Sequence, residues 1–155
     1  FLDNIDMERY KSFVRGVEYI ENIPGAIMQA RHTPALFSFK TPSVIEVAGK
    51  AFDIFYWNEF YNSIVHHEGF HAEQWNINPI GTIEAFVELI TSTFRESKED
   101  KLYRYRVEIE AFENQMQHSS FSRCAPWFQE EILNRLKNYK ENMEILKICF
   151  NSSKR

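Results

Sequence analysis

The chain has 155 residues, is 44% hydrophobic and 26% charged, and carries a formal net charge of -4. It is long enough for one domain with a sizeable core, it lacks the basic footprint of a nucleic-acid binder, and it has no apolar run of about eighteen residues that could span a membrane. Cys124 and Cys149 lack the paired spacing of a zinc knuckle and are expected as thiols, with a single disulfide as the alternative.

The expected fold class is α+β: mainly α-helical, with a small N-terminal antiparallel or mixed sheet packed on a central helix, in a single domain over 1–155. Residues 1–25 read as an N-terminal helix. Asp3 or Asn4 caps it, Ile5, Tyr10, Phe13, Val14, Val17 and Ile20 give it a ragged apolar stripe, and Pro24-Gly25 ends it. Residues 26–57 change character. Pro34, Pro42 and Gly49 punctuate segments rich in β-formers, at 36–39, 43–47 and 51–56, which predict the small sheet.

Residues 58–118 are expected as the metal-binding helices. One covers 58–75, with Asn58 as cap and Asn76, Asn78 and Pro79 closing it. Another covers 79–94, with Pro79 in its first turn. After a solvated linker at 95–101, a third covers 101–118 with the stripe Leu102, Tyr105, Ile109, Phe112 and Met116. A C-terminal helix over 126–150 repeats apolar residues at Ile132, Leu136, Tyr139, Met143, Leu146 and Phe150. That stripe reads as core packing, and a dimer seam or a lid over a cleft is the lesser reading. A start at Phe1 rather than Met reads as a processed or excised chain, cytoplasmic unless a signal peptide has been removed.

The 58–75 helix carries the chemistry. Three of the 5 histidines lie between His66 and His71, and His67-Glu68-Gly69-Phe70-His71 matches H-E-x-x-H. Chance produces such a match in roughly 2 of 100 shuffled sequences of this composition. Helical residues four apart share a face, so the two imidazoles can bind one metal ion with Glu68 beside the open coordination position. Trp57, Phe60, Tyr61, Ile64, Ala72 and Trp75 form the helix's apolar stripe. Glu68 and His71 continue that stripe, and His67 lies at its edge. An inward carboxylate is costly unless it is paired, protonated or beside a cation. His66 points the other way and is expected at the surface. The alternative for His67, Glu68 and His71 is a buried histidine–carboxylate network without metal.

A catalytic zinc takes three protein ligands and keeps one position open. A third histidine at the short metzincin spacing would fall near Ile77, so that motif is absent. His118 faces away from its helix's stripe, and His32 lies in a proline-bounded loop. A carboxylate on a following helix is the better candidate. Glu108 comes first, at the border of the buried face and followed by the small Ala111; Glu88, Glu113 and Glu84 come after it. Glu110 is expected to be exposed.

His67-Glu68-x-x-His71 followed by Glu108-Ile109-Glu110-Ala111 resembles the gluzincin clan of zinc metallopeptidases, in its compact, minimal form. Gln74 after His71, and Tyr103-Arg104-Tyr105-Arg106 leading into Glu-x-Glu-Ala, are also similar to small H-E-x-x-H proteins of bacteria and their viruses. The resemblance covers roughly 44–115. It implies one zinc ion held by His67, His71 and Glu108, with Glu68 as general base. It also implies a strand along the cleft that binds substrate in extended form, from 44–47 or 51–56, and a Tyr or His that holds the oxyanion, with Tyr105 or Tyr103 near Glu108. The departure from the clan is size, since no large second subdomain is present. The expected activity is zinc-dependent hydrolysis of a peptide or protein substrate. The alternative is a non-catalytic zinc-binding or degenerate peptidase-fold domain that binds a protein partner.

Overall fold

The strand Ser43–Ala48 (β3) is the centre of the sheet in the computed structural model, which describes residues 5–32, 41–77 and 98–152. Val14–Ile20 (β1) runs parallel to it on one side, and Met28–Arg31 (β2) runs antiparallel on the other. All six residues of β3 are buried. Its one charged residue, Glu46, accepts hydrogen bonds from Gln29 and Arg31 on the neighbouring strand, which makes its burial tolerable.

Two expectations fail here. In place of a helix, the described part of 1–25 holds a single 3-10 turn, Glu8–Tyr10, and then β1. Val14, Val17, Tyr19 and Ile20 are β-branched or aromatic. Pairing with β3 from Val14↔Ser43 to Ile20↔Ala48 outweighs the ragged helical stripe. Residues 51–56 do not form a strand either: β3 is flanked by β1 and β2, and none of 51–56 pairs with the described strands. The chain turns instead into a short helix, Ala51–Ile54 (α1). The segment 36–39 and the helix expected over 79–94 lie outside the described residues.

Three helical pieces follow one another without a break: Trp57–Tyr61 (α2), a π-helical stretch Asn62–Glu68, and Gly69–Ile77 (α3). Lys98–Gln117 (α4) begins inside the charged run expected as a linker. A 3-10 turn, Phe121–Arg123, leads to Pro126–Ser152 (α5). The buried carboxylate of Glu59 anchors this turn to α2 by accepting the Ala125 N–H at 2.6 Å. Asn58 adds a second tie by donating to the Arg123 carbonyl at 2.9 Å.

The chain is therefore α+β, with a small mixed sheet and longer helices. Two hydrophobic clusters form. Tyr10, Ile45, Val47, Phe60, Ile64 and Ala72 join the sheet to α2, the π-helical stretch and α3. Ile109, Phe112, Phe121, Phe128, Ile132 and Leu136 join α4 to α5. Phe55 packs against both. Neither cysteine is in a disulfide, and burial together with the nearby Glu59 pushes the Cys124 thiol up to about 12. Among the described residues no helix is long and apolar enough to cross a membrane.

Candidate metal centre

The motif histidines sit where the helix changes its winding. The Gly69 N–H bonds to the Ile64 carbonyl, five residues back, so the turn through Asn62–Glu68 is wider than an α-turn. A regular wheel therefore misplaces His66. It is not at the surface but 2% exposed, stacked on His118 with ring centroids 3.5 Å apart and edge-on to Tyr61. Neither of its ring nitrogens has a hydrogen-bond partner among the described residues. Burial, with smaller contributions from His118 and Arg9, lowers its pKa to about 4. Gly69 within the motif answers to packing. A Cβ there would lie 2.7 Å from Cδ2 of Tyr10, whose ring is fully buried.

His67 and His71, four residues apart, meet on one face with their Nε2 atoms 3.2 Å apart. Glu108 reaches them from α4: Oε2 is 3.7 Å from His67 Nε2, and Oε1 is 3.6 Å from His71 Nε2. Ligand atoms around a tetrahedral zinc stand about 3.3 Å apart, given metal–ligand bonds of about 2.0–2.1 Å. The three side chains thus offer two imidazoles and one carboxylate at spacings that fit one ion, and they are the one such group among the described residues. Burial, then His71 and Arg135, hold the His67 pKa well below its ordinary value, which keeps a lone pair available.

Glu68 stays outside this set. It is 8% exposed and lines the same cleft. Burial raises its carboxyl to about 7, and the Glu108 charge adds to the rise. His71 and the backbone N–H of Ala30 on β2 oppose it. A buried carboxyl beside a cluster of ligands is a group that can exchange protons near neutral pH.

Two glutamines back the imidazoles. Gln74 Oε1 lies 2.9 Å from His71 Nδ1. Gln115, 1% exposed, stands beside His67 and favours a proton on that ring. The two approach without closing a hydrogen bond of good geometry: His67 Nδ1 and Gln115 Oε1 both lack a partner among the described residues. Glu110, expected at the surface, is half-exposed and accepts from Gln74 at 3.0 Å and from Arg106 at 3.0 Å.

A cleft of about 1180 Å³ opens over the centre. Its floor holds His67, Glu68, His71 and Glu108, and α5 supplies a wall through Trp127, Arg135 and Tyr139. Tyr105 does not line the cleft. It rests edge-on against Tyr139, centroids 5.8 Å apart, and burial, with help from the nearby Glu108 charge, raises the Tyr139 pKa. Tyr103 also lines the cleft. The strand bordering it is β2, with Met28, Gln29 and Ala30, and not 44–47, which are enclosed in the sheet, or 51–56, which do not form a strand.

The other candidates fall elsewhere. Glu113 pairs with Lys140 at 2.7 Å, and Glu84 and Glu88 lie outside the described residues. His118 is occupied by His66 and by Ser120 Oγ, 3.0 Å from its Nδ1. His32 is not one of the three converging ligands but does line the cleft, stacked on Trp75 at 3.9 Å with Nδ1 2.5 Å from Ser43 Oγ. Sequence reasoning missed β2, Tyr139, Gln115 and the cleft position of His32. The one hydroxyl in an otherwise apolar stripe is the visible sign of Tyr139. No protein-family profile matches the chain, and neither a curated protein nor a solved structure matches it.

Proposed function

We propose that this domain is a zinc-dependent metallopeptidase of the compact gluzincin type. The observation that carries the reading is the convergence of His67, His71 and Glu108 at tetrahedral spacing, with the buried Glu68 carboxyl beside them and outside the ligand set. When bound, zinc brings the pKa of a coordinated water toward 7 and polarises a carbonyl. Glu68 takes the proton of the attacking water and hands it to the leaving amine. Tyr139 and Tyr103, and not Tyr105, line the cleft, and Tyr139, close enough to Glu108 to feel its charge, is the hydroxyl assigned to the developing oxyanion. Among the described residues β2 is the cleft-side edge of the sheet, where an extended peptide can add as a further strand.

The test is cleavage of a broad peptide library by the zinc-loaded protein, with a chelator control and a Glu68→Gln variant. The reading expects chelator-sensitive cleavage that Glu68→Gln loses while it keeps zinc. Undiminished cleavage by Glu68→Gln would overturn the mechanism. The aromatic lining of the cleft, Phe55, Trp75 and Trp127, favours a second reading: a zinc-bearing domain that holds a peptide or protein without cutting it. Stoichiometric zinc and peptide retention with no cleavage across the library would select it.

A further inference from the structure

The surroundings of Gln74 determine which nitrogen of His71 carries the proton. The Gln74 carboxamide nitrogen lies 3.0 Å from Glu110 Oε2 and 3.2 Å from the Val107 carbonyl oxygen. Both partners only accept, so the NH2 group faces them and Oε1 is the atom turned to His71 Nδ1, at 2.9 Å. A carboxamide oxygen has no hydrogen to give. His71 Nδ1 therefore carries the hydrogen, and its Nε2 carries the lone pair. Glu110 is held in turn through its other oxygen by Arg106, one helical turn earlier, at 3.0 Å.

His67 is in the opposite position. Its Nε2 is 3.2 Å from His71 Nε2. With the lone pair on His71, the metal-free contact is a hydrogen bond donated by His67 Nε2–H. An ion bound between the two rings needs both lone pairs, so the hydrogen leaves Nε2 for solvent and Nδ1 takes one up, with no net proton change. Nδ1–H then meets Gln115 Oε1, the buried acceptor that otherwise lacks a partner among the described residues.

We infer that Gln74, Glu110 and Arg106 form a positioning relay that keeps the His71 Nε2 lone pair free for a metal, and that Gln115 is the hydrogen-bond acceptor on which His67 changes tautomer when the ion binds. The first half stands on the hydrogen bonds alone; the second rests on the zinc reading. None of the four touches reacting atoms, and all four act through the ligands. Outer partners of this kind commonly set metal affinity by roughly 10–100-fold.

Two-bond proton–nitrogen NMR of the imidazoles distinguishes the tautomers. The metal-free protein should show His71 with hydrogen on Nδ1 and His67 with hydrogen on Nε2. One equivalent of zinc should move His67 to the Nδ1–H form and leave His71 unchanged. Gln74→Leu should release His71 into a tautomer mixture and weaken zinc binding roughly 10–100-fold. Glu110→Gln, whose amide oxygen still accepts from Gln74, should stay within a few-fold of wild type. Hydrogen on His71 Nε2 in the metal-free wild type overturns the relay, as does a Gln74→Leu protein with wild-type tautomers and zinc affinity. A His67 ring that keeps its Nε2 hydrogen in zinc-loaded protein overturns the role of Gln115. If wild type binds no zinc yet His71 holds its Nδ1 hydrogen and Gln74→Leu loosens it, the metal reading falls and the relay stands. Should Gln74→Leu fail to fold, the wild-type spectra with and without zinc decide both halves.

Discussion

His67 Nε2 faces Glu108 Oε2 across 3.7 Å, a contact between a helix packed on the sheet and a helix packed on α5. An ion bound at this point would tie the two hydrophobic clusters together. Zinc should therefore stabilise the fold, by about 2.7 kcal/mol when free zinc is a hundred times its Kd. Scanning calorimetry with zinc and with chelator checks this. The melting temperature should rise with zinc in wild type and stay flat in His71→Ala.

Tyr139 and Tyr105 separate cleanly by position. Tyr139→Phe should reduce kcat roughly 10²-fold or more, the usual cost of losing one oxyanion donor. Tyr105→Phe should leave kcat within a few-fold, since that ring packs against Tyr139 without lining the cleft. Steady-state kinetics on the best library peptide, with zinc content matched between variants, checks the contrast.

The glycine of the motif is a packing residue. Gly69→Ala would bring its Cβ to 2.7 Å from Tyr10 Cδ2 and to 3.1 Å from Cε2 and Cγ. The Tyr10 ring is fully buried and cannot swing away cheaply. The expected outcome is a loss of about 1–3 kcal/mol, net of the better helix propensity of Ala, read from urea unfolding.

Much of this centre was legible in the sequence, and its limits are physical. His67, His71 and Glu68 stand out because local spacing on one helix defines them. The convergence of Glu108 with them was reachable because a metal on two imidazoles would need a third ligand and few carboxylates border a buried helix face. The inward position of His66 is not legible, because nothing in the sequence marks the π-turn beside it. Nor is β1, because its stability comes from parallel pairing with β3, a contact remote in sequence. Tyr139 and Gln115 were invisible as site residues for the same reason: only the packing of α4 and α5 against the motif helix brings them to it.

His66 should make stability depend on pH. Its unfolded ring takes a proton below its ordinary 6.5, whereas the folded ring does so only near 4. Between these values the unfolded chain binds more protons, so stability falls as pH drops through that window. Glu68, raised from 4.5 to about 7, acts in the opposite direction in the metal-free protein, gaining stability as pH falls through 7. The comparison with His66→Phe isolates the first effect, since neither ring nitrogen has a hydrogen bond to lose among the described residues. From pH 7 to pH 5, metal-free wild type should lose about 2 kcal/mol more than the variant in urea unfolding. Equal losses would assign the pH dependence to other groups.

Elemental analysis of zinc-equilibrated, desalted protein, in wild type and in Glu108→Ala, decides whether His67, His71 and Glu108 hold one zinc ion. One zinc per chain is expected in wild type, with a loss of most of it in the variant and the fold retained by circular dichroism. Stoichiometric zinc in Glu108→Ala, or none in wild type, would refute the proposed ligand set.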